Sequence, residues 1–269
     1  MQRLQSFLRI IEKLSKRILG KYLKSIIVFG SFARGDYAPS SDIDILIIVS
    51  DETPDSLIKK FKRISYVLER KFRFAKYSNG ILDAILLGVS RMTGLGVCCF
   101  IAKETDLLQW RFEKIFTSNL FLSKLLAPTT CVFYNIKSAN QVISGKNFLE
   151  NLQVRFKFLD LFKSLIMSEL LVVCSIALTL FTKKAFYLTL TAIKWAFLNT
   201  RFRLKTKFNL LNPECICPEF KYIFVRLINS RKTNMLDPIL LYRAPFIVFL
   251  LHKLAISNAL TSPRSPQEL

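Results

Sequence analysis

The sequence predicts an α+β protein, with a small mixed-sheet domain over residues 1–148 followed by an all-α helical domain over residues 149–262. Three observations carry this expectation. Short β-branched runs alternate with helical periodicities up to about residue 148, and no strand alternation persists beyond it. Long apolar stretches, broken at Asn212-Pro213 and Asp237-Pro238, fill the rest. At 269 residues and 51% hydrophobic composition, the chain has enough length and apolar surface for two cores.

Leu4, Phe7, Leu8, Ile11, Leu14 and Ile18 recur at helical spacing, with Arg3, Arg9, Lys13, Lys16 and Arg17 mostly opposite them, so an amphipathic helix is expected to end near Gly20. A basic helix of this kind also resembles a transit peptide in composition. Its direct run into a strand favours a helix that covers a core. Ser25–Phe29 and Ile43–Val49 read as strands, joined by the turn-rich segment from Gly35 to Ser41. Residues 54–72 carry Leu57, Phe61, Ile64, Val67 and Leu68 at helical spacing behind Pro54, a residue suited to a first turn. Ile81–Val89 is expected to be a third strand, 107–126 a helix and 131–136 a short strand before the Ser144-Gly145-Lys146 turn.

Forty Lys and Arg against 19 Asp and Glu give a net charge of +21. The excess is shared, with 23 basic and 13 acidic residues in 1–150 and 17 and 6 in 151–269. Such a balance favours an anionic partner (nucleic acid, nucleotide or membrane surface) and disfavours a cationic substrate. Six cysteines without a disulfide-framework spacing, and no signal peptide, point to a reducing cytoplasmic setting. Cys215-Ile-Cys217 is too tight for a zinc knuckle. His252 is the only histidine, which excludes a mechanism needing two imidazoles. The apolar runs Leu165–Phe181 and Ile239–Leu251 are short for a span; the first contains Glu169 and the second Arg243 and Pro245. Both read as buried helices, and no membrane span is expected.

The chemistry lies in Val28-Phe29-Gly30-Ser31-Phe32-Ala33-Arg34-Gly35-Asp36 and in Ser40-Ser41-Asp42-Ile43-Asp44-Ile45. Alternation along a strand puts Asp42 and Asp44 on one face and Ile43 and Ile45 on the other. Two carboxylates about 6.6 Å apart repel by about 2–3 kcal/mol at an effective dielectric near 20, a cost that a divalent cation removes. Mg²⁺ suits such a pair, because it takes hard oxygen ligands from one or two carboxylates and from substrate phosphates. Gly30-Ser31 lets backbone N–H groups approach a polyphosphate, Ser31 adds a hydroxyl, and Arg34 lies within reach of a phosphate oxygen.

Gly30, Ser31, Ala33, Arg34, Gly35, Ser41, Asp42 and Asp44 together resemble the signature of the DNA polymerase β-type nucleotidyltransferases, in particular their minimal branch. The resemblance covers residues 25–90. It implies a catalytic domain binding ATP or another NTP through Gly30, Ser31, Arg34 and Ser41, with two Mg²⁺ ions held by Asp42 and Asp44. The family's third carboxylate, on a later strand, would be Asp83, as metal ligand or as base for the attacking hydroxyl; Asp106 is the fallback. The implied reaction transfers a nucleoside monophosphate, AMP from ATP being the first expectation, to a hydroxyl acceptor with release of pyrophosphate. Charge favours an anionic acceptor such as RNA, a metabolite or an acidic protein, presented by the helical domain, and a homo-oligomer is compatible with the sequence. The alternative is a non-catalytic, antitoxin-like protein of the same fold that binds RNA or a protein partner. Two weaker features are Lys146, a candidate phosphate ligand, and the basic run Arg201–Lys207, which suits a phosphate backbone or a solvated helix end.

Overall fold

The computed structural model describes residues 2–35, 43–72, 74, 98–116, 124–200, 218–233 and 235–261, which fall into two compact units. In the first, helix α1 (Gln2–Leu19) buries Leu4, Phe7, Ile11 and Leu19. A single 3-10 turn leads from it into strand β1 (Leu23–Phe29) and then a short helix, α2 (Gly30–Arg34). Strand β2 (Asp44–Val49) pairs antiparallel with β1, with Val28 opposite Ile45 and Phe29 opposite Asp44. Helix α3 (Asp55–Lys71) follows, with Pro54 just before its first turn. Strand β3 (Cys99–Lys103) runs parallel to β2, and strand β4 (Asn140–Gly145) pairs antiparallel with β1, giving a mixed sheet of order β3-β2-β1-β4.

Both faces of the central strands β1 and β2 are largely buried. Ile26, Val28, Ile45 and Ile47 join Leu4, Phe7 and Ile11 of α1 and Phe61 of α3 in one cluster, and each such side chain contributes about 2 kcal/mol of burial. On the other face Phe29, Phe100 and Phe116 form a file of rings with centroids 6.0 Å and 5.0 Å apart. Gly145 closes the β4 edge at φ 88°, where a Cβ would lie 2.8 Å from the Ser25 Cα and 3.0 Å from the Lys24 carbonyl carbon, so a side chain there would split β4 from β1.

Three sequence expectations change. Residues 131–136 lie within helix α6 (Thr129–Ser138), not a strand. The Asp160 carboxylate accepts from the Thr130 N–H at 2.6 Å and from its hydroxyl at 2.7 Å, capping that helix from 30 residues away. Of the helix expected over 107–126, the stretch 107–116 holds parts of two short helices, α4 (Glu104–Leu108) and α5 (Phe112–Ile115), separated by Trp110 at φ 57°; 124–126 are helical, and 117–123 lie outside the described residues. The described strand after α3 is β3, and the expected strand Ile81–Val89 lies outside the described residues.

The second unit packs helices α7 (Phe158–Thr179), α8 (Phe186–Thr200), α9 (Pro218–Thr233) and α10 (Pro238–Thr261), with α7, α8 and α10 each against the other two. Asp237 opens α10, accepting from the N–H groups of Ile239 at 3.0 Å and Leu240 at 3.3 Å, and it is held in turn by both ends of the Arg226 guanidinium. α8 is buried nearly all round. A polar chain threads this unit: Asn135 donates to Asn199, Asn199 donates to Ser164, and Ser164 lies 2.9 Å from His252 Nε2. His252 Nδ1 lies 2.8 Å from the Val248 carbonyl, which can only accept, so Nδ1 carries the proton and Nε2 accepts from Ser164. α7 and α10 are long and apolar enough to cross a membrane by length and composition. The apolar residues of α7 are nevertheless largely outward, where the sequence led us to expect burial.

Two stability predictions follow from buried ionisable groups. Burial lowers the pKa of His252 to about 4, from 6.5 in the unfolded chain, although the Val248 carbonyl opposes the shift. The neutral ring is therefore favoured by folding; its contribution is present above about pH 6.5 and lost as the pH falls to about 4, amounting to about 3 kcal/mol. Urea midpoints of the helical signal across that range should fall in wild type and flatten in His252→Gln. Glu69, on the buried face of α3, accepts from the Cys99 N–H at 3.1 Å, while its second oxygen has no partner; burial raises its pKa. Glu69→Gln keeps an acceptor for Cys99 and removes the charge. Its melting temperature should exceed wild type at neutral pH, and the gap should close as acid protonates Glu69.

Candidate active site

β1 ends at Phe29 and the chain enters α2 through Gly30 at φ 75°, a conformation L side chains rarely adopt. The register that sets Phe29 opposite Asp44 brings the acid against this turn. A Cβ on Gly30 would meet the Asp44 carboxylate, with Oδ2 nearest, Cγ at 3.1 Å and Cβ at 3.4 Å. Glycine is thus required twice, by the backbone and by the acid that fills the space. Asp44 is half-buried and shares its face with Leu46 and Ile48. Ser31 is buried in the first turn of α2, Arg34 is half-buried in its last, and the helix closes with the Gly35 N–H donating to the Phe32 carbonyl at 3.0 Å. Phe29, at the N-cap of α2, makes no side-chain capping hydrogen bond.

Of the residues singled out in the sequence, Gly30, Ser31, Arg34 and Asp44 are therefore gathered where β1 ends and β2 begins. Ser41, Asp42, Asp83 and the run Arg201–Lys207 lie outside the described residues. Among the described residues no three His, Cys, Asp or Glu side chains cluster as a metal site. Asp106 does not join Asp44. Because β3 runs parallel to β2, α4 leaves from beside Val49, about 17 Å along the strand from Asp44. There Asp51 accepts from the Thr105 N–H at 3.0 Å and hydroxyl at 2.7 Å, and Asp106 faces Arg111 at 3.4 Å. Lys146 is exposed just past β4.

Two supports of the site escaped sequence reasoning. Glu69 holds Cys99, whose neighbour Cys98 accepts from the Ile45 N–H at 2.7 Å, one residue from Asp44. Its signal was an acid in register with the apolar face of α3, at Phe61, Ser65 and Glu69. Asn140 pairs with Phe29 and caps α6 by donating to the Lys137 carbonyl at 2.7 Å. Nothing in the sequence marked it.

A mixed sheet whose second strand begins with an acid seated on a glycine-serine turn, and whose next described strand is reached through a helix, agrees with the nucleotidyltransferase framework that the sequence resembles. Comparison with known proteins agrees. A sequence profile described as Nucleotidyltransferase domain matches residues 8–77. A protein of Methanocaldococcus jannaschii with the provisional name protein adenylyltransferase is 37% identical over 81 residues, covering 26% of this chain and 81% of the relative. Another from that organism, provisionally named in the same way, is 41% identical over 70 residues, covering 26% and 78%. The spectinomycin adenyltransferase of Enterococcus faecialis, solved with ATP and spectinomycin, superposes with a TM-score of 0.51 at 15% identity, over 93% of this chain and 98% of that one, a likeness of fold. The chain belongs to the nucleotidyltransferase family, of the DNA polymerase β type, and is a transferase.

Gly30→Ala tests the seat. The added methyl displaces the Asp44 carboxylate, and a shift of that size at a reacting centre costs about 100-fold in rate. Nucleotidyl transfer by the variant should fall by that order while its circular dichroism spectrum stays that of wild type.

Proposed function

We propose that this protein is a Mg²⁺-dependent adenylyltransferase, transferring AMP from ATP to a hydroxyl with release of pyrophosphate. The observation that carries the reading is the Asp44 carboxylate lodged against Gly30, beside Ser31, at the start of α2. Asp44 presents hard oxygen donors at a turn stripped of side-chain bulk, which fits Mg²⁺ and a triphosphate together. In this reading Asp42 and Asp44 hold the metal, with Asp83 as third ligand or base. The Gly30 N–H, Ser31, Arg34 and Ser41 hold the phosphates. Bound magnesium would supply charge neutralisation on the triphosphate and a more acidic attacking hydroxyl.

The hydroxyl oxygen forms its bond to the α-phosphorus as the bond from that phosphorus to the bridging oxygen of the β-phosphate breaks. Pyrophosphate leaves, and the hydroxyl proton passes to Asp83 or to solvent. The chain's own task is alignment: two strands fix the acid, and the turn fixes the donor. ATP as donor is favoured by the adenylyltransferase names of the relatives. Those names also favour a protein hydroxyl as acceptor. The +21 charge accords with an acidic protein surface, RNA or an anionic metabolite, and disfavours cationic aminoglycosides.

The test is transfer of label from α-labelled ATP to acidic proteins, RNA and anionic metabolites. Label should move only with magnesium present, stop on chelation, and fall by at least about 100-fold in Asp42→Asn and Asp44→Asn. Failure to label any acceptor, together with tight RNA binding, would replace this reading with a non-catalytic one.

A further inference from the structure

α7 is built inside out. At about 100° per residue, Leu159, Phe162, Ile166, Leu170, Val173 and Leu180 fall within an arc of roughly 80°. All are exposed, from 39% at Phe162 to 84% at Leu180. Asp160, Ser164, Ser168 and Ser175 occupy the opposite side and are buried. The buried side is satisfied within the unit: Asp160 caps α6, Ser164 joins Asn199 and His252, and Ser175 donates to the Ala185 carbonyl at 2.8 Å. Asp160, Ser164 and Ser175 are thus engaged inward, and the helix's apolar stripe is left outward. Leu159, Phe162, Ile166, Leu170 and Val173 recur about once per turn, with Leu180 at the C-cap in line with them, unlike the scattered apolar residues of an ordinary surface.

The surroundings of the stripe are basic. Arg155 and Lys157 precede α7 and Lys183 and Lys184 follow its end; Lys163, bordering the stripe, is engaged within the unit, donating to the Lys124 carbonyl at 2.6 Å and lying 4.0 Å from Asp160. Residues 153–200 hold six Lys and Arg against Asp160, which is buried, and Glu169, on the stripe's other border. α10 repeats the character, with Tyr242, Phe246 and Phe249 outward beside the exposed Arg243 and Lys253. Two copies of a +21 chain repel each other. RNA offers phosphates to the lysines, yet its hydrated backbone leaves a row of Leu, Ile and Val uncovered. An anionic bilayer surface meets both demands at once, with acyl chains for the stripe and headgroups for the lysines.

We propose that the outward face of α7 seats the helical unit on an anionic membrane surface, lying on the bilayer without crossing it. This goes beyond nucleotidyl transfer and does not depend on it. The full chain would be floated with vesicles of phosphatidylcholine alone and of phosphatidylcholine mixed with phosphatidylglycerol, at low and high salt. We expect binding to the mixed vesicles, weak binding to phosphatidylcholine alone, and release at high salt as the headgroup attraction is screened. The double variant Ile166→Ser with Val173→Ser alters only exposed positions, so it should keep the wild-type circular dichroism spectrum and magnesium-ATP affinity while losing at least about tenfold in vesicle affinity. Absence of wild-type binding, equal binding by the variant, or binding that resists high salt would each overturn the proposal. So would light scattering that reports a dimer broken by the same double variant without vesicle binding, since a second copy would then cover the stripe.

Discussion

The site depends on a register. Phe29 faces Asp44 across the antiparallel pair, and only this pairing lays the carboxylate on the turn that follows β1. Slipping one strand by one residue would invert every side chain of β2, sending Asp44 into the cluster that holds Ile26, Val28, Ile45 and Ile47. Burying an unpaired carboxylate there costs several kcal/mol, far more than any single cross-strand contact returns. The apolar residues on both faces of the central strands therefore do more than stabilise the sheet; they fix the position of Asp44, keeping it out of the core. Gly30 completes the constraint from the other side, because the space a side chain would take is already filled by that acid.

How much of this could be read beforehand followed from how local each cause was. Ser25–Phe29 and Ile43–Val49 announced themselves as short apolar runs between turn residues, and the glycine-serine turn with its following acids announced the chemistry. α1 and α3 were legible because each covers one face of the sheet and shows that face as a periodicity. The misreadings sit where a distant partner decides. Thr129–Ser138 is rich in Thr, Val, Phe and Tyr, which reads as strand. It folds as helix with Asp160 supplying the cap at its first turn, a contact no local window contains. β4 has only Val142 and Ile143 as large apolar residues and is half-exposed along its length, so it carried no strand signal despite pairing with the strand that bears the site. Asp106 was a reasonable fallback by spacing and was eliminated by direction. A parallel β3 puts the helix that leaves its end, α4, at the far end of the sheet from Asp44.

The two units obey opposite rules, and the difference separates their tasks. In the sheet unit, acids and amides meet solvent at the ends of strands whose middles are apolar on both sides, the arrangement a rigid, water-accessible reaction site requires. In the helical unit, Asn135, Asn199, Ser164 and His252 are linked by hydrogen bonds in sequence, the last three of them buried, while Leu, Ile and Val line the outside of α7. A network of this kind makes a packing specific, because each member fails if its neighbour shifts, and it is costly to retain unless that specificity serves a surface. The surface it fixes is an apolar stripe with lysines at its margins. Charge of this density acts over about 8 Å in physiological salt, whereas apolar contact acts only on touching, so the lysines govern approach and the stripe governs residence. Nucleotide binding needs neither a long apolar row nor lysines at its margins. The outward face of α7 is therefore a second functional demand on this chain, met by a different part of it.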